Sequence, residues 1–424
     1  MTTRSNLLFI ALTVSFTANI QAQSNKSIEQ ATRPRTVTPV STAAAKPQQQ
    51  DKQRTTTNRA AQSTDKKAAN HFQQDEARAV TKEDNRRLTP NRLRIRISEA
   101  QRLLKARPMP TAMTPSLDFV TIAALLPETS QIHLIRVNKQ TFLTRGSEVS
   151  GVSTTGLPVQ IRVVRANGVN TAVTIFDDKN RSLLPLVVEF PIERAGKFRE
   201  MAYYTSAHPA LLTADLMKAG QTYVNSMVDL AARRLKDRGN PINPMLIDIA
   251  KRLCIVEHVD HERFRNENRV ALFEEIYTLY ALNELDTYRF SVSSAGAGGM
   301  VQMIPWTYNL MRQRHPGVGL NPDFVFGMRN HGNALEAMLL YMQDTWGDLS
   351  ANEDVQAALT AKQATYAEIM AAGYNSNAAK LPGYIRRAGP GWRSLIPRET
   401  QMYLQIYQSL DVLMKSKDNH ARKK

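Results

Sequence analysis

The sequence predicts a multidomain α+β protein: a disordered basic leader, a small β-sandwich-like module, then an all-α domain. Three observations carry this reading. Residues 23–90 are dominated by Gln, Ser, Thr, Lys, Arg and Ala, with few large apolar side chains. Residues 116–193 hold short runs rich in Val, Ile, Thr and Phe, separated by turn residues. From about Ala195 onward, apolar residues recur at three- and four-residue steps. With 424 residues, the chain has room for two or three domains at ~100–200 residues each.

Residues 1–22 read as an export signal. Arg4 gives a positive start, Leu7 to Ile20 an apolar stretch, and Ala22 a small residue at a plausible cut site. Thr13, Ser15, Thr17 and Asn19 interrupt that stretch and make it too polar for a stable membrane anchor. The expected location is therefore the periplasm or cell envelope. Residues 23–107 follow as a basic linker that buries too little apolar surface to offset its ordering entropy. A short helix is expected over residues 92–107, near its end.

The β-rich module is placed at 108–194. "FVTIAALL", "IHLIRV", "QTFLTR", "VQIRVVRA", "TAVTIF" and "LPLVVEF" are its strands, broken at Gly151, Gly156, Gly168 and the Asp178 to Asn180 turn. Its His133 lies between apolar residues and reads as structural. The helical domain is placed at 195–414 and a basic tail at 415–424. Its first long helix closes on Gly239.

Charge is distributed unevenly. The formal net charge is +17. Residues 23–107 hold 19 Lys/Arg against 8 Asp/Glu, and 415–424 hold 5 against 1, whereas 108–414 hold 30 against 29. A neutral body with basic ends argues against a folded nucleic-acid-binding domain, whose basic patch would sit on the globule. It fits a leader that touches an anionic envelope polymer. No run of ~20 apolar residues predicts a transmembrane segment. A single cysteine, Cys254, excludes an internal disulfide framework and reads as a small buried hydrophobe.

The densest polar constellation runs from Glu284 to Tyr308. Glu284 follows an apolar helix containing Phe273, Ile276, Tyr277, Tyr280 and Leu282. A carboxyl desolvated there, beside Tyr280 and Tyr288, would have a raised pKa and stay protonated, as a general acid requires. The run from Ser293 to Gly299 has no bulk and lets backbone approach a ligand. Gln302 offers an amide to a polar substrate. No Gly-Lys-Ser/Thr follows, so this is not a phosphate loop.

This arrangement resembles the catalytic domain of the soluble lytic murein transglycosylases (SLT), which has a goose-type lysozyme-like fold. Gly296-Ala297-Gly298-Gly299-Met300-Val301-Gln302 is similar to the family's "GA-x-GLMQ" segment, with Met300 for Leu and Val301 for Met. Glu284, 15 residues before Gly299, takes the place of the catalytic Glu. Ala371 to Asn375 resembles the "A-x-YN" element, and Pro397 to Tyr403 the "P-x-ET-x-x-Y" segment. The resemblance spans roughly 205–412 and leaves out the β-rich part. The family usually has Ser after its catalytic Glu, where this chain has Leu285.

The resemblance implies an exported enzyme acting on peptidoglycan glycan strands without a cofactor. Glu284 would protonate the oxygen linking N-acetylmuramic acid to N-acetylglucosamine. The substrate's N-acetyl group would stabilise the oxocarbenium-like state. Glu284 would then take the proton of the muramic 6-hydroxyl as it closes a 1,6-anhydro ring. Gly299, Met300, Gln302, Tyr374 and Asn375 would form the substrate site. Tyr384 is the aromatic residue best placed in sequence for a further sugar contact. A hydrolytic muramidase and a non-catalytic wall-binding protein are the alternatives. Glu257-His258 and Asp260-His261-Glu262 form a second polar cluster; its histidines lack the HExxH order and a third ligand, so no metal site is assigned.

Overall fold

Helix α1 (Pro90–Lys105) opens the described part of the chain. The computed structural model describes residues 89–107 and 116–421, with side chains through residue 415. The expected export signal, the leader up to residue 88 and the last three residues of the tail lie outside the described residues. Thr89 caps α1 and Pro90 sits in its first turn, where a missing N–H costs nothing. Leu93, Ile97, Ala100 and Leu104 make one buried stripe. That stripe packs on Ala123, Leu125, Leu184 and Leu186 of the sheet. Residues 89–107 are thus part of the folded body, not the end of a disordered linker. Arg107 anchors the helix end by donating to Thr121 (3.1 Å) and pairing with Glu189.

The β-rich region, expected as a small sandwich or barrel, is one curled, seven-stranded antiparallel sheet. Its strands are β1 (Phe119–Leu126), β2 (Gln131–Asn138), β3 (Glu148–Val152), β4 (Pro158–Arg165), β5 (Ala172–Asp177), β6 (Ser182–Arg194) and β7 (Lys197–Tyr204). The order is β2-β1-β6-β5-β4-β3, with β7 on β6. The QTFLTR run is not a strand: capped by Asn138, it opens as a short helical turn, Lys139–Phe142. β6 is 13 residues long and pairs with β5 at its start, β1 along its middle and β7 at its end. Opposite Pro185, which has no N–H to give, the β1 register slips between Ala123 and Ala124. Strand β7 carries the sheet past the expected boundary at residue 194.

Both faces of β1 are buried, which explains its near-continuous apolar run. Val120, Ile122, Ala124 and Leu126 face a core shared with Ile161, Val173 and Ile175. Ala123 and Leu125 face α1 and the first helices of the second region. His133 is buried in β2 with Nδ1 on the Thr155 hydroxyl at 2.7 Å.

The second region is helical: α2 (Ala214–Asp237), α3 (Pro244–Val256), α4 (His261–Asn266), α5 (Arg269–Asn283), α6 (Pro305–Arg314), α7 (Phe324–Arg329), α8 (His331–Ser350), α9 (Glu353–Thr360), α10 (Tyr366–Asn375), α11 (Leu381–Ala388) and α12 (Arg398–Ala421). α2 and α5 touch backbone to backbone at Gly220, where a Cβ would lie 1.7 Å from the Tyr277 carbonyl oxygen. No helix among the described residues is long and apolar enough to cross a membrane.

Sheet and helices share polar ties as well as apolar surface. The Asn283 side chain accepts from Thr205 N and donates to Thr205 O, both at 2.8 Å. Glu275 of α5 pairs with Arg165 of β4 at 2.7 Å and with Arg263 of α4 at 2.9 Å. Glu200 of β7 pairs with Arg329 of α7, and with Arg289 at 3.5 Å. Phe290 lies under both guanidiniums and packs against the sheet core.

Candidate functional site

Helix α3 is apolar from Leu246 to Val256, apart from the exposed Asp248 and the half-buried Lys251 and Arg252. Asn243 caps it and Pro244 starts it. Just past its C-terminus the chain places two polar side chains, Glu257 and His258, against the interior. Protein surrounds both densely, yet both keep partial solvent exposure.

Glu257 Oε1 accepts from the Tyr403 hydroxyl at 2.5 Å. Desolvation pushes the Glu257 carboxyl up to about 8. The Tyr403 bond works against that rise, and the charge of Glu399 adds to it. At neutral pH this carboxyl is protonated, with Oε1 engaged by Tyr403 and Oε2 left to carry the proton. Tyr403 and Glu399 both belong to the opening turns of α12.

His258 ties this helix end to the glycine-rich loop. Its Nε2 lies 3.0 Å from the Met300 carbonyl oxygen, which only accepts, so Nε2 carries the proton. Burial pushes the imidazole down to about 3, so the ring is neutral. It stacks face to face on Tyr288 at 3.4 Å. Behind it, His331 Nε2 donates to Thr287 O at 2.8 Å and Nδ1 accepts from Tyr223 OH at 2.9 Å.

The loop itself is a strained, cross-linked turn. Gly298 bridges both Val292 and Met303. Gly299 has φ +68°, and a Cβ there would lie 2.2 Å from the Met328 carbonyl oxygen, so only glycine fits. Gln302 has φ +46°, a left-handed conformation costly for a residue with a side chain. Its Nε2 donates to Gly299 O at 2.8 Å and reaches the Ser291 hydroxyl at 3.3 Å. The amide nitrogen therefore holds the turn, and the amide oxygen is the atom left for a ligand. Tyr374, at the end of α10, donates its hydroxyl to Val301 O at 2.7 Å. Its ring packs edge-on to Tyr341 at 5.8 Å.

These contacts tie the Gly299–Gln302 turn of the sequence-predicted set to His258, the residue after Glu257, through Met300 O, and to Tyr374 through Val301 O. Asn375 follows Tyr374 and is half-buried. The Met300 side chain is fully buried, so this residue serves through its carbonyl and not as a substrate contact. Tyr384 stands apart, in a surface depression with Lys380 and Arg387.

Glu284 is not buried against the apolar helix as expected. It is exposed, at the C-cap of α5 with φ +46°, and Leu285 beside it is 60% exposed. Glu257, which the sequence reading did not single out as an acid, is the glutamate that the fold buries. Both glutamates follow an apolar helix, and the signal that separates them is Tyr403, which the fold brings to Glu257. His258 lies in the turn between α3 and α4, where it is committed to Met300, and His261 starts α4. Among the described residues no group of three His, Cys, Asp or Glu side chains could hold a metal ion. Cys254 is buried, and burial pushes its thiol up.

No protein-family model, no curated protein and no solved structure matches this chain.

Proposed function

We propose that the chain is an exported peptidoglycan lytic transglycosylase with Glu257, not Glu284, as its general acid and base. The observation that carries this is the Glu257 carboxyl, pushed up to about 8 and held by Tyr403 at 2.5 Å beside the Gly299–Gln302 turn. A carboxyl protonated at neutral pH and open to a cleft is the group that glycosidic protonation needs. The lysozyme-like character of the helical region, the periplasmic location and the glycan substrate belong to the same proposal. They rest on the motif resemblance.

Glu257 Oε2 donates its proton to the bridging oxygen between N-acetylmuramic acid and N-acetylglucosamine, and that bond breaks. The substrate's acetamide oxygen supports the positive anomeric carbon. The Gln302 amide oxygen accepts from the acetamide N–H and so aims that group. Glu257, now ionised, is stabilised by the Tyr403 hydroxyl and takes the proton of the muramic 6-hydroxyl as its oxygen closes on the anomeric carbon. The product carries a 1,6-anhydro ring and no water is added.

Mass spectrometry of sacculi digested with the protein tests this. Products one water lighter than hydrolytic muropeptides support it. Ordinary reducing ends would make the protein a muramidase, and Glu399, whose charge acts on Glu257, would then be its second carboxylate. Binding to sacculi with no released product would leave a wall-binding protein.

A further inference from the structure

Helix α10 ends at Tyr374 and Asn375, and the chain then turns through Ala378 to Lys380 into α11. Ala378 packs close over Gly373, where a side chain would meet its methyl at 3.2 Å. Beyond it opens a depression of about 500 Å³ whose lining includes Asn352, Asp354, Lys380, Tyr384, Arg386 and Arg387. Its near edge is therefore only five residues from Tyr374, on the same connection.

The charges in this depression are unequal. Three cations face one carboxylate. Asp354 takes Arg386, at 3.6 Å. Among the described residues, Lys380 and Arg387 have no carboxylate partner. Arg387 is held by the face of Tyr384, its guanidinium carbon 5.2 Å from the ring centre. A cation held by an aromatic ring keeps all its N–H donors for a ligand, and a guanidinium fork matches a carboxylate. Lys380 adds a second positive charge on the same rim, and Asn352 offers an amide for a peptide bond.

We propose that this depression binds the carboxylates of the peptide stems carried by the muramic acid residues, which makes peptide-bearing glycan the preferred substrate. The proposal rests on the glycan-cleaving reading of the Glu257 site and specifies which strands that site receives. Arg387 takes a stem carboxylate through its fork, Tyr384 holds Arg387 in place, and Lys380 supplies charge at the mouth.

The test measures affinity of the full chain for soluble glycan strands of two kinds. One kind retains its peptide stems, and the other has been stripped of them by an amidase. The wild type should bind the peptide-bearing strands about tenfold more tightly. Lys380→Ala/Arg387→Ala should abolish that preference, and Arg387→Lys should restore only part of it. Equal affinity of the wild type for both kinds of strand overturns the proposal, as does a preference that survives in the double variant. A phosphate-rich wall polymer that displaces peptide-free strands from the wild type but not from the double variant would assign the cations to phosphate, and also overturns it. A wild type that binds neither kind of strand would instead count against the glycan-cleaving reading. Circular dichroism of the double variant confirms that its fold is kept.

Discussion

The Tyr403 hydroxyl donates to Glu257 Oε1 at 2.5 Å, across 146 residues of sequence. This bond favours the ionised carboxyl, whereas burial favours the protonated one. The balance keeps Glu257 protonated at neutral pH and gives it a partner for the moment it ionises. Activity should hold below pH about 8 and fall as pH rises through it. Tyr403→Phe removes the hydrogen bond that lowers the carboxyl, so the alkaline limb should move up in pH while kcat drops about tenfold, as loss of a hydrogen bond to a charged group implies. A pH–rate profile of the two proteins checks both shifts.

The same carboxyl should make stability depend on pH. Its ordinary value is 4.5 and its folded value about 8, so between them the folded chain binds one proton more than the unfolded chain. Stability contributed by this group is therefore fully present below about 4.5 and is lost as pH rises through about 8. Glu257→Gln should flatten the slope of Tm against pH in that window. A slope unchanged by the substitution would place the carboxyl in ordinary solvent.

His258 links the end of α3 to Met300 O at 3.0 Å, and its ring lies flat on Tyr288 at 3.4 Å. His258→Ala should leave the Met300 carbonyl unpartnered, at a cost of about 1–3 kcal/mol. The loop carrying Gln302 should loosen with it, so kcat should fall more than KM rises. Denaturant unfolding together with steady-state kinetics separates the two effects.

Gly299 is in a left-handed conformation, and a Cβ there would lie 2.2 Å from the Met328 carbonyl oxygen. Gly299→Ala combines that overlap with a strain of about 1–3 kcal/mol, and thermal unfolding should show a loss at or above that range. Gly317, where a Cβ meets nothing within 4 Å and φ is not left-handed, is the control position and should tolerate Ala.

Glu200 of β7 holds Arg329, whose helix carries the Met328 that walls Gly299, and also Arg289 at the start of the glycine-rich loop. Glu200→Gln should weaken both ties while leaving every residue of the cleft in place. Hydrogen exchange should quicken in 286–303 and 324–329 and stay unchanged in β1 and β2.

Much of the architecture was legible in local pattern. The β1 run, the turn residues between strands and the three-and-four spacing after Ala195 each reflect a period that the backbone imposes. Helix α1 reads as part of a linker in sequence because its five basic side chains outnumber the four residues of its buried stripe. Leu93, Ile97, Ala100 and Leu104 carry the signal, and they matter only because the sheet offers a second apolar face. The single curled sheet was hidden because β6 pairs with three strands, a fact of long-range register. At the site, glycine chemistry and the Gln302 turn were visible in sequence, and the burial of Glu257 was not. Glu257 and Glu284 are alike in local sequence. What distinguishes them is Tyr403 and the surrounding density, which exist only in the folded chain.

Release of 1,6-anhydro products from sacculi by Glu257→Gln and Glu284→Gln, measured side by side with the wild type, is the most direct test of the central claim. Glu257→Gln should lose about 10²–10⁴ in kcat, the usual contribution of a general acid, and Glu284→Gln should release product at a near-wild-type rate. Robust release by Glu257→Gln, with loss in Glu284→Gln, would contradict the claim and return the acid to the exposed end of α5.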